Sequence, residues 1–206
     1  MFQKKDYTLL SKVLHHLALG SNFIPEMLHD IEVAIFKKRK KIDLFKNHIF
    51  ICGLPRSGTT ILMRSLYDTN KFASLTYRDM PFVLLPNIWS KISKRIKVDV
   101  KKERAHKDNI SVNIDSPEAL EEVFWRVKLE KQYIYHNKLI PHEVDDFTLN
   151  EFKNFVALIL YKYKKENYLS KNNNNILRIE NIIQAFPNSL ILIPFRSPLQ
   201  QANSLL

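Results

Sequence analysis

Glycine is scarce in this chain: three residues, Gly20, Gly53 and Gly58, in a sequence of 206, against an ordinary usage of about 7%. A sequence so sparing of glycine keeps it where the backbone has no alternative, and two of the three fall within one short stretch. There is a single cysteine, Cys52, which excludes a disulfide-stapled scaffold and makes the cytoplasm the default compartment. No apolar run approaches the roughly 20 residues of a membrane span, and the opening residues Met1 to Leu10 lack the continuous apolar segment of a secretory signal. Acidic residues are also under-represented, 21 against 32 basic, for a net charge of +11. That surplus points to an anionic partner, whether nucleotide, phosphate, sulfate, nucleic acid or an acidic membrane surface, and does not choose among them. What is abundant is core-forming material: 45% hydrophobic and 11% aromatic, which excludes a wholly disordered chain. The length suits one domain.

The pattern along the chain predicts an α/β domain over 1–206, with residues 1–45 a helical extension and 46–206 a core of parallel strands flanked by helices. Leu10, Val13, Leu14 and Leu17 recur at helical spacing; a second helix follows Pro25 with a stripe of Met27, Leu28, Ile31, Ala34 and Ile35. The basic run Lys37 to Lys41 suits the negative end of that helix. His48 to Cys52 is a short apolar run that reads as a buried strand, followed by a helix over Ser57 to Thr69 with Ile61, Leu62, Ser65 and Leu66 inward. Lys91 to Lys107, with eight basic residues and two acidic ones, reads as an exposed loop or helix. Ile110 to Ile114 is a candidate strand, and Asp115-Ser-Pro-Glu118 a helix start anchored by Phe124 and Trp125. Glu118, Glu121 and Glu122 are expected on its solvated face. Thr148 and Glu151 form a capping box for a helix reaching about Tyr168. Lys171 to Asn175 reads as a polar turn without core-forming capacity. Leu190 to Phe195 is a second buried strand, with a closing helix opened by Ser197 and Pro198.

The strand, glycine-containing loop and helix between His48 and Thr69 make a nest for an anion. Such a loop offers backbone N–H groups and the positive end of a helix dipole. Gly53 and Gly58 permit the turn; Ser57, Thr59 and Thr60 supply hydroxyls, and Arg56 a guanidinium fork. The spacing of the two glycines matches the triphosphate-binding P-loop, but Thr59 stands where that motif has lysine. The strand Leu190 to Phe195 also ends in Arg196 rather than in a magnesium-binding aspartate. A nucleotide kinase or NTPase is therefore the alternative, and a basic nucleic-acid-binding or non-catalytic nucleotide-binding protein a further one. The basic runs favour nucleic acid, but no aromatic interleaving or reading motif accompanies them.

The stretch Pro55-Arg56-Ser57-Gly58-Thr59-Thr60 resembles the 5′-phosphosulfate loop of sulfotransferases that use 3′-phosphoadenylyl sulfate (PAPS). A second motif resembles the family's 3′-phosphate site: Arg196 ending a strand and Ser204 eight residues later on the next helix. The resemblance runs from about His48 to Leu206. It implies a P-loop-like α/β fold and transfer of a sulfuryl group from PAPS, without a metal, to a hydroxyl or amine of a small-molecule, glycan or lipid acceptor. It also implies a lysine near the sulfate, for which Lys171 is the candidate, and a base, for which Asp79 and His106 are both open. Because family members continue beyond the helix that carries Ser204, the resemblance further predicts weak nucleotide binding by a chain ending at Leu206. His136, His142 and the nearby acidic residues lack the paired spacing of a zinc site.

Overall fold

The structure, a computed structural model, describes residues 21–36, 46–95, 102–103 and 111–205. The stripe Leu10 to Leu17, the basic run Lys37 to Lys41, His106 and most of residues 96–107 lie outside the described residues. In chain order the first elements are α1 (Phe23–Phe36), β1 (Ile49–Ile51), α2 (Thr59–Tyr67), β2 (Phe72–Ala73), a 3-10 turn (Tyr77–Asp79) and α3 (Pro86–Ser93). There follow the antiparallel pair β3 (Lys102–Glu103) and β4 (Ser111–Val112), then α4 (Glu122–Tyr133) and a hairpin of β5 (Ile134–Tyr135) and β6 (Lys138–Leu139). The last part is α5 (Asp146–Tyr163), β7 (Asn167–Lys171), a second 3-10 turn (Asn173–Leu177), α6 (Ile179–Ala185), β8 (Leu190–Leu192) and α7 (Pro198–Asn203).

The central sheet has the order β2–β7–β1–β8, with every pairing parallel. Ile49 faces Leu169 and Leu190 across β1, and Ile51 faces Lys171 and Leu192. Strands buried on both faces need apolar residues at every position, and Ile49-Phe50-Ile51 supplies them. Side chains alternate between two cores. Ile49, Ile51 and Leu169 pack with Met63 of α2 on one face. Phe50, Cys52 and Tyr168 join Phe124, Trp125, Phe152, Phe155 and Phe186 on the other. That second core is dense in rings: Phe124 stacks on Phe155 at 5.3 Å, and Trp125 lies 4.4 Å from Phe152.

Several expectations are corrected here. On α1 the buried residues are Pro25, His29, Glu32 and Phe36, while Met27, Ile31 and Ile35 face outward. The rotation follows from polar contacts: Glu32 accepts from the backbone N–H of Asn87 (2.5 Å) and of Ile88 (3.2 Å), and so caps the start of α3. On α2, Thr59 and Met63 are buried and Ile61 is exposed. Residues 115–118 do not open a helix, because they are drawn onto the first 3-10 turn. Tyr77 N–H donates to the Ser116 carbonyl, Glu118 N–H to that of Leu75, and Arg78 forks onto Asp115 at 2.5 and 2.7 Å.

The helix expected to reach Tyr168 is capped earlier, by Asp145 accepting from the Thr148 N–H at 2.6 Å, and stops at Tyr163. Lys164 takes a left-handed conformation (φ 53°), the usual device for ending a helix. The chain then returns as β7, a strand that the sequence reading missed.

Candidate functional site

In parallel α/β sheets ligands gather at the carboxyl ends of the strands, and three strand ends meet here. β1 runs into the Gly53–Gly58 loop, β7 ends at Lys171, and β8 leads through Pro194 to Arg196. Gly53 is required: a Cβ there would lie 2.8 Å from the Pro194 carbonyl oxygen and 2.9 Å from Ser57 Oγ. Gly58 (φ +91°) makes the left-handed entry to α2, and Arg56 is also left-handed at φ 67°. Ser57 closes the turn by donating to the Leu54 carbonyl from both N–H (3.3 Å) and Oγ (2.7 Å). The bond from Leu62 N–H to the Gly58 carbonyl opens α2. The N–H groups of the first turn therefore lie at the positive end of the helix.

The second motif comes to this loop from far along the chain. Arg56 Nε donates to Ser204 at both its Oγ (2.8 Å) and its carbonyl (3.1 Å), across 148 positions. One turn earlier on α7, Gln201 Nε2 donates to the Pro55 carbonyl at 2.8 Å. Arg196 is exposed and donates to Gln200 at 3.3 Å. Pro55, Arg56, Ser57, Gly58, Thr59, Thr60, Arg196 and Ser204 thus belong to one region. Lys171 ends β7 beside Ile51 and is mostly buried. It lies two residues beyond Leu169, which packs on α2, so its side chain is on the face of the sheet from which α2 starts.

Asp79 is placed differently. It is fully buried; one carboxylate oxygen accepts from Tyr163 (2.8 Å) and the Thr76 N–H (2.8 Å), and the other pairs with the ammonium of Lys162. As placed, it holds the first 3-10 turn to α5. Burial and the neighbouring Asp79 push the Tyr163 phenol far up. Cys52, the one thiol, is buried, and burial with the Glu121 charge pushes it up to about 12; it is a neutral core residue.

What sequence reasoning missed is a polar network under the end of β7. Glu121 and Arg178 are each 1% exposed, Asn172 3% and Asn175 0%, so the expected solvated face and coreless turn are both corrected. Glu121 accepts from Trp125 Nε1 (3.0 Å), Asn175 Nδ2 (2.7 Å) and Tyr168 OH (3.2 Å). Glu122 accepts from Tyr133 OH (2.5 Å) and Asn174 Nδ2 (2.8 Å) on one oxygen, and from Asn172 Nδ2 (2.6 Å) and Arg178 Nη1 (3.1 Å) on the other. The Arg178 guanidinium lies between two rings, 4.8 Å from both Trp125 and Tyr133, and His142 covers the Tyr133 ring at 5.0 Å. A run of asparagines after a strand, facing paired glutamates some fifty positions earlier, is a pattern that only the fold brings together.

Burial raises the Glu122 carboxyl, but the Arg178 charge and the donors Tyr133, Asn174 and Asn172 outweigh it, leaving the group below its ordinary value of 4.5. A carboxylate lowered by folding stabilises the protein fully above that value, and the contribution is lost as the pH falls through the folded value. Urea unfolding followed from neutrality down through the carboxylate range is therefore expected to show stability falling. Glu122→Gln is expected to flatten the fall; an unchanged slope would mean that Glu122 is not a source of it.

Among the described residues, no group of three His, Cys, Asp or Glu is arranged to hold a metal ion, and no helix is long and apolar enough to cross a membrane. A family model described as the sulfotransferase family matches residues 48–206, so the chain belongs to the sulfotransferase family. No curated protein sequence matches it. Its fold is similar to that of sulfotransferase STF1 from Mycobacterium tuberculosis, with a TM-score of 0.58 and 14% identity over 94% of this chain and 57% of that one. It is also similar to sulfotransferase STF9 from Mycobacterium avium, with a TM-score of 0.56 and 14% identity over 90% of this chain and 51% of that one. The chain thus spans just over half the length of these solved relatives.

Proposed function

We propose that the chain provides the nucleotide site of a sulfotransferase that takes the sulfuryl group from PAPS and passes it to a hydroxyl or amine. The observation that carries this reading is the contact of Arg56 with Ser204, which joins the two anion-binding motifs into one site. PAPS supplies an activated sulfuryl group and a phosphate at each end of its ribose. The chain's residues suit both ends. The α2 start, with the N–H groups and hydroxyls of Thr59 and Thr60, receives the 5′ side; Arg196 and Ser204 receive the 3′-phosphate. Arg56 neutralises the charge that gathers on the departing phosphate, a task for a fixed cation, and Lys171 meets the sulfuryl group. The loop fits such an anion because Gly53 leaves no side chain between it and the β8 exit.

For the acceptor's proton, Asp79 would have to give up Lys162, and His106 is the base we propose. It is tested by His106→Ala, for which a loss of turnover of about 10²–10⁴-fold is the expected cost of losing a general base.

The reading itself is tested by calorimetric titration with adenosine 3′,5′-bisphosphate, with AMP and ATP–Mg²⁺ as controls. Selective binding of the bisphosphate is expected, because only it fills both anion sites. Preference for ATP–Mg²⁺ would move the chain to a kinase-like activity, and equal binding of AMP would remove the 3′-phosphate role from Arg196 and Ser204.

A further inference from the structure

We infer that Glu122 is a positioning residue for Lys171, acting through the asparagines that follow β7. The inference rests on the sulfotransferase reading, in which Lys171 meets the sulfuryl donor. Lys171 is the last residue of its strand, so its height at the sheet edge depends on what fixes the next residue. Asn172 is fixed from three directions. Its N–H donates to the Ile51 carbonyl (3.0 Å), its Oδ1 accepts from Asn174 N–H (3.1 Å), and its Nδ2 donates to both Glu122 (2.6 Å) and Asn175 (3.0 Å). Asn174 also reaches Glu122. Glu122 stands at the start of α4 and is itself anchored by Tyr133 and by the Arg178 guanidinium between its two rings.

Four donors converge on the two oxygens of Glu122 from α4, the second 3-10 turn and the residues around it. Only a carboxylate accepts at both positions. A glutamine amide would set its own N–H₂ against two of these donors and release either Tyr133 with Asn174 or Asn172 with Arg178, so that one asparagine loses its hold in either case. The four hydrogen bonds of Glu122 go to Tyr133, Asn172, Asn174 and Arg178 and not to the Gly53–Gly58 loop, so its effect passes through the turn to Lys171 and from there to the sulfuryl end of the nucleotide, leaving the 3′-phosphate end untouched.

The test measures dissociation constants of PAPS and of adenosine 3′,5′-bisphosphate for the wild-type chain, Lys171→Ala, Glu122→Gln and the double variant. A charge-assisted hydrogen bond lost at the sulfuryl end corresponds to about a tenfold or greater loss. Lys171→Ala is thus expected to weaken PAPS by that much while changing the bisphosphate by less than about twofold. Glu122→Gln is expected to do the same, and the double variant to bind PAPS no more weakly than Lys171→Ala alone. Asn174→Ala, which removes one leg of the support and leaves Arg178 paired, carries the same comparison should Glu122→Gln not fold. Equal weakening of both nucleotides by Glu122→Gln, or losses that multiply in the double variant, would overturn the positioning role while leaving the sulfotransferase reading standing. A Lys171→Ala variant with unchanged PAPS affinity would overturn the inference alone, whereas a wild-type chain that binds neither nucleotide would overturn the reading and the inference together.

Discussion

Replacing Arg178 by methionine is expected to lower the stability of the domain by about 3–5 kcal/mol, the range found when one partner is removed from a buried ion pair. The side chain is wholly buried and makes the charged contact to Glu122. It also bonds Asn175 Oδ1 at 3.2 Å and fills the space between Trp125 and Tyr133. Methionine keeps much of the volume and removes the charge, leaving the partly buried Glu122 without its cation and Tyr133, Asn172 and Asn174 as its remaining donors. For a domain whose total stability is about 5–15 kcal/mol, such a loss takes most of what is there. Denaturant unfolding measures it directly. A change under about 1 kcal/mol, the size of an exposed ion pair, would show that the network is not what holds α4 to the end of β7. Replacing Arg178 and Glu122 together by apolar residues is expected to cost less than Arg178→Met alone, since no uncompensated charge remains.

Arg56→Ala is expected to raise the dissociation constant of adenosine 3′,5′-bisphosphate by about 10- to 150-fold, equivalent to the 1.5–3 kcal/mol of a hydrogen bond to a charged group. Arg196→Ala is expected to lie in the same range by the same argument. The two differ in coupling. Arg56 already holds both oxygens of Ser204, so the losses from Arg56→Ala and Ser204→Ala are expected to be less than multiplicative when combined, as for residues in one hydrogen-bonded unit. Arg196 bonds Gln200, on its own side of the site, and is expected to combine multiplicatively with Arg56. Calorimetry on the single and double variants decides it. Strictly multiplicative losses for Arg56 with Ser204 would mean that the two motifs act as separate sites.

The glycine loop between β1 and α2 is legible in the sequence because its requirement is local. A buried strand, a turn that only glycine permits, and a helix start rich in hydroxyls occupy consecutive residues, and Gly53 and Gly58 carry it within six positions. Arg196 and Ser204 are legible for the same reason, since each motif is contiguous. α1 is legible as a helix but not in its rotation. Hydrophobicity points Met27, Ile31 and Ile35 inward, whereas the Glu32 carboxylate, which caps α3 from another element, turns the opposite face to the core. β7 escapes notice because Asn167-Tyr-Leu-Ser-Lys171 has only two apolar residues. It is a strand because β1 and β2 flank it and bond to both its edges.

The sequence by itself determined the fold class, the glycine loop, and the order along the chain of that loop and the Arg196–Ser204 segment. All of these rest on interactions between neighbours of one to eight positions, where backbone geometry and residue type suffice. Only the tertiary structure decided that Asp79 is tied to Lys162, that Glu121 and Arg178 are interior with Glu122 partly buried beside them, and that Arg56 meets Ser204. A charged side chain reads as exposed until a partner is found for it, because isolated burial is too costly. Here the partners lie about 50 to 150 positions away, and only the folding of the sheet brings them within a hydrogen bond's reach.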